Sequence, residues 1–394
     1  MNKEYNLAVG IDAMGFYTSH YYLDLAELAA VRNIDVNKFN VGLGQLKMAV
    51  PAPGEDVVTI AANAARKVLK YTNIDDIDTV LFATESGVDQ SKAAGIYLHA
   101  LLNLPKKCRV TELKQACYST TAGLQLAMAL VARYPHKKVL LVAADIARYG
   151  LNKAGESSQG CGAIAMLVSV NPRLLAIEPE YSVYTDDVMD FWRPNYQDVA
   201  LVEGKYSTII YMRALEQVWR DYAMHSQRGF NDHGFFCYHV PVPRLVEKAH
   251  KLLAKINGQK INEDQVRKQV ADSLVYAREI GNSYTAALHV GLISLLDNYQ
   301  GDAAGQRIGF YSYGSGCVAE YFSGVVQDNY RSILQVSENQ KMLNSRQSLT
   351  YQEYEQFFNF ILPEDGSEFY TPHYNTGHFR LAGIKDHKRL YEVV

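Results

Sequence analysis

Short continuous apolar runs alternate along this chain with stretches of helical period, and that alternation predicts an α/β fold. Thr79-Val-Leu-Phe-Ala-Thr84 and Lys138-Val-Leu-Leu-Val-Ala-Ala144 show no polar alternation, the pattern of strands covered on both faces. Residues 6–11, 108–113 and 162–168 read as further strands. Helices are predicted over 21–32, where Leu23, Leu25 and Leu28 recur, over 57–70, capped by Asp56, and over 91–103, closed by Pro105. Another helix is predicted to open at Cys117, where small residues crowd Ala-Cys-Tyr-Ser-Thr-Thr-Ala-Gly123. The glycine-bearing stretch 41–51 lacks the strand and spacing of a dinucleotide fingerprint and reads as a loop.

The second half restates the first. Helices are predicted over 206–225 and 241–256, and the strand Phe235-Phe-Cys-Tyr238 ends at His239. Gly281-Asn-Ser-Tyr-Thr285 opens an apolar helical run, Arg307-Ile-Gly-Phe-Tyr-Ser-Tyr313 is a strand, and Gly314-Ser-Gly316 leads into a last one. Both halves thus place a small-residue helix start before a strand, a glycine loop and another strand. The pattern predicts a duplicated α/β unit with a seam at 169–178, dividing 1–170 from 171–394. The tail beyond Tyr330 fits no element.

Composition narrows the class. The 394 residues are 48% hydrophobic and 21% charged, an ordinary globular balance with room for two halves. A net charge of -3 gives no general affinity for nucleic acid, although a local basic patch can still grip a phosphorylated ligand. Five scattered cysteines without a C-x-x-C pair argue against a disulfide framework and structural zinc, and point to a reducing cytoplasm. No apolar run approaches a membrane span, and residues 2–6 do not resemble a targeting segment.

Three polar groups stand where apolar strands end: Glu85, Cys117 and His239. A cysteine can hold an acyl group as a thioester, and a helix start beside it favours the thiolate. A carboxylate against the acyl methyl can remove a proton, and a histidine can hold a second carbonyl. Together they permit carbon–carbon bond formation on thioesters. Each has an ordinary reading as well: Cys117 as a small buried hydrophobe, Glu85 and Asn282 as helix caps, His239 as a structural histidine, Gly314-Ser-Gly316 as a turn.

The set Ala83-Thr-Glu-Ser-Gly-Val-Asp89, Glu112-Leu-Lys-Gln-Ala-Cys-Tyr118, Asp145-Ile-Ala-Arg-Tyr-Gly150, Asp190-Phe-Trp-Arg-Pro194, Tyr238-His-Val-Pro241, Gly281-Asn-Ser-Tyr-Thr285 and Tyr313-Gly-Ser-Gly316 resembles hydroxymethylglutaryl-CoA synthase of the bacterial type, in order and spacing. The resemblance implies a thiolase-like α/β/α/β/α sandwich of two related halves, usually dimeric. It implies condensation of acetyl-CoA with acetoacetyl-CoA, then hydrolysis, in the mevalonate route, with both thioesters as substrates and neither a cofactor nor a metal required. Carried over, Cys117 takes the acetyl group, Glu85 acts as general base and then acid, and His239 positions the acceptor. Asn282 binds an acyl carbonyl or orients His239, Tyr149 lines the acetyl site, and the Cys117 amide and the Ser315 region stabilise the thioester oxygen. Arg244, where the family commonly has lysine, and Lys248 lie on one helix face for CoA phosphates. Asp89, Asp145 and Asp190 orient the main players.

Rival readings are an initiating ketoacyl-carrier-protein synthase, a polyketide branching synthase acting on carrier-protein-bound acetoacetate, and a non-catalytic acyl-CoA-binding scaffold. Glu85 argues against the first, because decarboxylation supplies its own carbanion. The scaffold predicts loss of Glu85, Cys117 or His239, and all three are present.

Overall fold

The computed structural model describes residues 7–394. Residues 2–6, read above as untargeted, lie outside the described residues, as does the first residue of the strand expected from 6. Nine strands build the main sheet: β1 (Val9–Tyr17), β2 (Ile77–Ala83), β3 (Arg109–Leu113), β4 (Lys138–Ala147), β5 (Gly160–Val170), β6 (Leu175–Thr185), β7 (Phe235–Tyr238), β8 (Arg307–Gly314) and β9 (Val318–Val326). Their spatial order is β7-β8-β9-β6-β1-β5-β4-β2-β3.

Strand senses repeat across that order. β1 is antiparallel to β5, β5 to β4, and β4 runs parallel to β2. In the second half β6 is antiparallel to β9, β9 to β8, and β8 runs parallel to β7. Among the described residues the two sets of strands pair where Gly10 and Ile11 meet Ala176 and Leu175. A Cβ on Gly10 would lie 2.1 Å from the Leu175 carbonyl oxygen, so a side chain there would force the halves apart. In this correspondence Glu85 follows β2 as His239 follows β7. The expected seam at 169–178 holds the end of β5 and the start of β6, a strand the sequence reading did not separate.

Helices layer on both sides of the strands. They include α1 (Val57–Leu69), α2 (Ser119–Arg133), α3 (Gly204–Ser226), α4 (Pro243–Ile256), α5 (Glu263–Ile280) and α6 (Ala287–Asn298). α1 covers β1, β5 and β4 from outside, and α3 covers β6 and β9. α6 touches β1 and β5 as well as β7 and β8, so with α2 it forms the middle of five layers. Asp56 caps α1 as expected, accepting from the Val58 and Thr59 amides at 3.0 Å each. No helix among the described residues is long and apolar enough to cross a membrane.

Several expectations fail for a common physical reason. The helix expected over 21–32 begins only at Leu25; Tyr21–Asp24 is a strand, paired with Lys47–Val50 inside the expected loop and with Gln347–Leu349 from the tail. Tyr21 and Leu23 point into a separate small core, and no local signal announces a partner more than three hundred residues away. β9 is not the last strand either. The tail adds helices and a small sheet, Phe369–Tyr370, Phe379–Lys385 and Lys388–Val393, whose Tyr391 hydroxyl donates to Asp56 at 2.6 Å over the start of α1.

Candidate active site

Cys117 sits just outside the helix expected to open at it. α2 starts at Ser119, and a short loop carries the chain from β3 to that point. Ala116 takes a left-handed φ of 44°, a conformation unfavourable for a residue with a Cβ and tolerated where the surroundings impose it. The Ser119 hydroxyl pins the loop, accepting from the Gln115 amide at 2.5 Å and donating to the Ala116 carbonyl at 2.9 Å. The loop delivers the Cys117 thiol onto Glu85: Sγ donates to Oε1 at 2.8 Å.

That contact corrects the electrostatic expectation. Burial, then the charge of Glu85, pushes the Cys117 thiol well up instead of down, so the resting pair keeps its proton and the helix start does not prevail. Glu85 is raised to about 8, first by burial and next by the charge of Asp145.

Asp145 is fully buried and ties the two halves together. Its Oδ1 accepts from the Thr84 hydroxyl, the Glu85 amide and the Ser86 hydroxyl at 2.9, 2.8 and 2.8 Å. Its Oδ2 accepts from the Thr285 amide and hydroxyl at 3.0 and 2.5 Å. Five donors suit an ionised carboxylate. Asp145→Asn would turn an amide group towards some of these donors. A loss of about 1–3 kcal/mol in unfolding free energy is expected from urea titration, since buried donors are left unmatched.

The second half carries His239, Asn282 and Ser315. His239 is buried, its amide donating to the Tyr311 carbonyl and its carbonyl accepting from the Tyr211 hydroxyl, both at 2.8 Å. With the backbone clamped, the ring makes no hydrogen bond among the described residues. Burial lowers its pKa to about 3, so the imidazole is neutral and offers one donor and one acceptor. Asn282 donates to the Tyr149 hydroxyl at 3.2 Å and accepts from the Tyr284 amide at 2.8 Å; neither bond goes to His239. Tyr149, Phe191 and Tyr284 pack edge to face as an aromatic wall. Ser315 lies beside the cysteine loop, its carbonyl accepting from Gln115 Nε2 at 3.3 Å. Asp190 anchors this turn, accepting from the Gly316 amide at 2.9 Å and the Tyr313 hydroxyl at 2.7 Å.

A thiol hydrogen-bonded to a carboxyl is a pair suited to acyl transfer and enolate chemistry, and comparison with known proteins decides which family uses it. Residues 5–173 match the family model for the hydroxymethylglutaryl-coenzyme A synthase N terminal region, and 254–366 match that for its C terminal region. The chain belongs to the hydroxymethylglutaryl-CoA synthase family. It is 43% identical over 360 residues to hydroxymethylglutaryl-CoA synthase of Enterococcus faecalis, covering 91% of this chain and 94% of that protein. The polyketide 3-hydroxy-3-methylglutaryl-ACP synthase of Bacillus subtilis is 34% identical over 375 residues, covering 89% and 88%. A crystal structure of HMG-CoA synthase complexed with CoA superposes with a TM-score of 0.92 at 39% identity, covering 98% of this chain and 100% of that one. A second structure, in complex with 3-hydroxy-3-methylglutaryl coenzyme A, gives 0.88 at 35%, covering 98% and 99%. The thiolase-like five-layer fold is therefore that of the family.

Within this hydroxymethylglutaryl-CoA synthase frame, three expected site residues need restating. Asp89 is exposed and holds the Ser91 and Lys92 amides at 2.7 Å each; it caps a turn, and no hydrogen bond joins it to the pocket among the described residues. Arg244 is half-buried and pairs with Glu247, which Arg278 also approaches at 3.2 Å, so its charge is partly spent inside the protein. Lys248, one turn on, is exposed and forms no ion pair among the described residues. Sequence reading missed Phe191, Arg193, Tyr284 and Thr285 as site residues. All four stand in motifs quoted above, but two aromatics, a threonine and an arginine in such stretches carry no chemical signal by themselves. Arg193 donates to the Glu85 carbonyl, and its charge opposes the upward shift of that carboxyl. No cluster of three His, Cys, Asp or Glu among the described residues is arranged to hold a metal ion.

Proposed function

We propose that the chain, as a homodimer, condenses acetyl-CoA with acetoacetyl-CoA and hydrolyses the product from the enzyme, with Cys117, Glu85 and His239 carrying the steps. The observation that carries this reading is the 2.8 Å contact between Sγ and Oε1. Cys117 sulfur bonds to the acetyl carbonyl carbon, the bond to CoA sulfur breaks, and the thiol proton ends on the departing CoA. Glu85 then removes a proton from the acetyl methyl, and the enolate carbon bonds to the ketone carbon of acetoacetyl-CoA. The proton held by Glu85 goes to the new alkoxide. His239, neutral, donates a hydrogen bond to an acceptor carbonyl. Water cleaves the Cys117 thioester, releasing hydroxymethylglutaryl-CoA. The Cys117 amide and the turn at Ser315 stabilise the oxyanions, while Tyr149 and Asn282 border the acetyl site. Lys248, with Arg244 beside it, faces the CoA phosphates.

The higher identity to the Enterococcus faecalis CoA enzyme than to the Bacillus subtilis carrier-protein enzyme favours free acetoacetyl-CoA as acceptor. Incubation with labelled acetyl-CoA tests the reading: a label on Cys117, released as hydroxymethylglutaryl-CoA on adding acetoacetyl-CoA, is expected. Release only by acetoacetyl-carrier protein would reassign the acceptor, and no label at all would end the mechanism.

Condensation should also fall with acidity. Glu85 is a base only when ionised, and its pKa is raised to about 8. Acetylation removes the thiol hydrogen bond that lowers it, so the acetyl-enzyme sits no lower. The condensation rate of preformed acetyl-enzyme is expected to drop about tenfold per pH unit below about 8 and to level above. Asp145→Asn, by removing a neighbouring negative charge, should move that limb to lower pH. Stopped-flow or quench rates over pH 6–9 measure both, and a flat profile would exclude Glu85 as the titrating base.

A further inference from the structure

Cys117 belongs to the first half, yet the loop that carries it is docked on the second. A Cβ on Gly314 would lie 2.6 Å from the Tyr118 amide nitrogen, so the two backbones meet flush there. Thr121 donates to the Ser312 hydroxyl at 2.8 Å, and Gln115 reaches the Ser315 carbonyl. These are neutral contacts. One charged group joins them: Glu320 on β9, directly across from Ser312 on β8 and 1% exposed. Its Oε2 accepts from the Tyr118 hydroxyl at 2.7 Å, and its Oε1 accepts from the Gln125 side-chain amide. Tyr118 adjoins Cys117, and Gln125 lies further along α2, so the carboxylate grips the segment that follows the thiol.

We propose that Glu320 is a positioning residue, fixing the Cys117 loop against the second half through Tyr118 and Gln125 so that sulfur and amide keep their aim during acetyl transfer. The inference rests on Cys117 being the acetyl carrier. Its warrant is the expense of the arrangement. No cation among the described residues pairs with this carboxyl, and burial raises it to about 7 against the two hydrogen bonds that oppose the shift. An apolar side chain of similar volume would hold the strands together as well or better, because a buried charge is a poor source of stability. Directional acceptance from two side chains of one segment is what an apolar residue does not provide. A small misplacement of a reacting atom is enough to slow a reaction severely.

Glu320→Leu separates the two roles. Its unfolding temperature is expected to equal or exceed that of the native protein. The rate of Cys117 acetylation by acetyl-CoA, followed by quench and intact mass, should fall about tenfold, with the KM for acetoacetyl-CoA unchanged. Tyr118→Phe should lose the same factor, and the double variant no more than either alone, as residues acting through one bond do. Glu320→Gln, which keeps an acceptor for Tyr118, should recover most of the rate. Acetylation of Glu320→Leu within twofold of the native rate, or losses that multiply in the double variant, would overturn the proposal. Should Glu320→Leu not fold, Tyr118→Phe is judged by the same thresholds. A native protein that forms no adduct overturns the functional reading and this one with it, whereas normal native acetylation matched by the variants overturns this one alone.

Discussion

Cys117→Ala is expected to abolish the acetyl adduct and to lower hydroxymethylglutaryl-CoA formation by on the order of 10⁴-fold or more, the scale of losing a covalent nucleophile. No neighbour can stand in. Cys161, Cys237 and Cys317 are buried, and burial raises the Cys108 thiol, at the outer start of β3, to about 11. The substitution removes one sulfur and leaves the loop bonds of Ser119 intact, so the fold should survive with a change below about 1 kcal/mol. Intact-mass measurement after acetyl-CoA and an initial-rate assay check the two halves of this expectation. An adduct that persists would mean that another side chain carries the acyl group.

Glu85→Ala divides the reaction at a different point. Removing the carboxyl takes away the second largest cause of the raised Cys117 thiol, so ionisation of the sulfur becomes easier and acetylation should continue. Proton removal from the acetyl methyl then has no base, and condensation should fall by about 10²–10⁴-fold, the usual weight of general base catalysis. The variant should therefore accumulate as acetyl-enzyme in the presence of acetoacetyl-CoA. Quench and mass measurement reads this directly. Condensation at the native rate would assign the base elsewhere, and loss of acetylation would place Glu85 in the first step instead.

Much of this was legible in the residues, and for identifiable reasons. β2, β4 and β8 are inner strands and β7, though at the sheet's edge, is mostly buried, so their apolar runs stand out without reference to anything distant. The cap at Asp56 is local chemistry and could be read locally. Glu85 and His239 were visible as polar groups following β2 and β7, and Cys117 as one following β3. What could not be read depends on partners far along the chain. The thiol was expected to be lowered by a helix start, but burial and then a carboxyl 32 residues earlier raise it. Asp89 looked like a pocket acid by motif and is taken by its own turn. Arg244 looked free on a helix face, yet Glu247, three residues on, holds it. Tyr21–Asp24 carried a helical spacing that pairing with Lys47–Val50 and Gln347–Leu349 overrode.

The five bonds to Asp145 bear on how such a protein can change. Three of the donors come from residues 84–86, just after β2, and two from Thr285, just before α6. The two halves therefore share one buried carboxyl and cannot be inherited as separate modules. A hybrid that joined the first half of one relative to the second half of another would have to match at this carboxylate before it could evolve a new substrate. Diversification is thereby steered towards the rims of the pocket and away from exchange of whole halves.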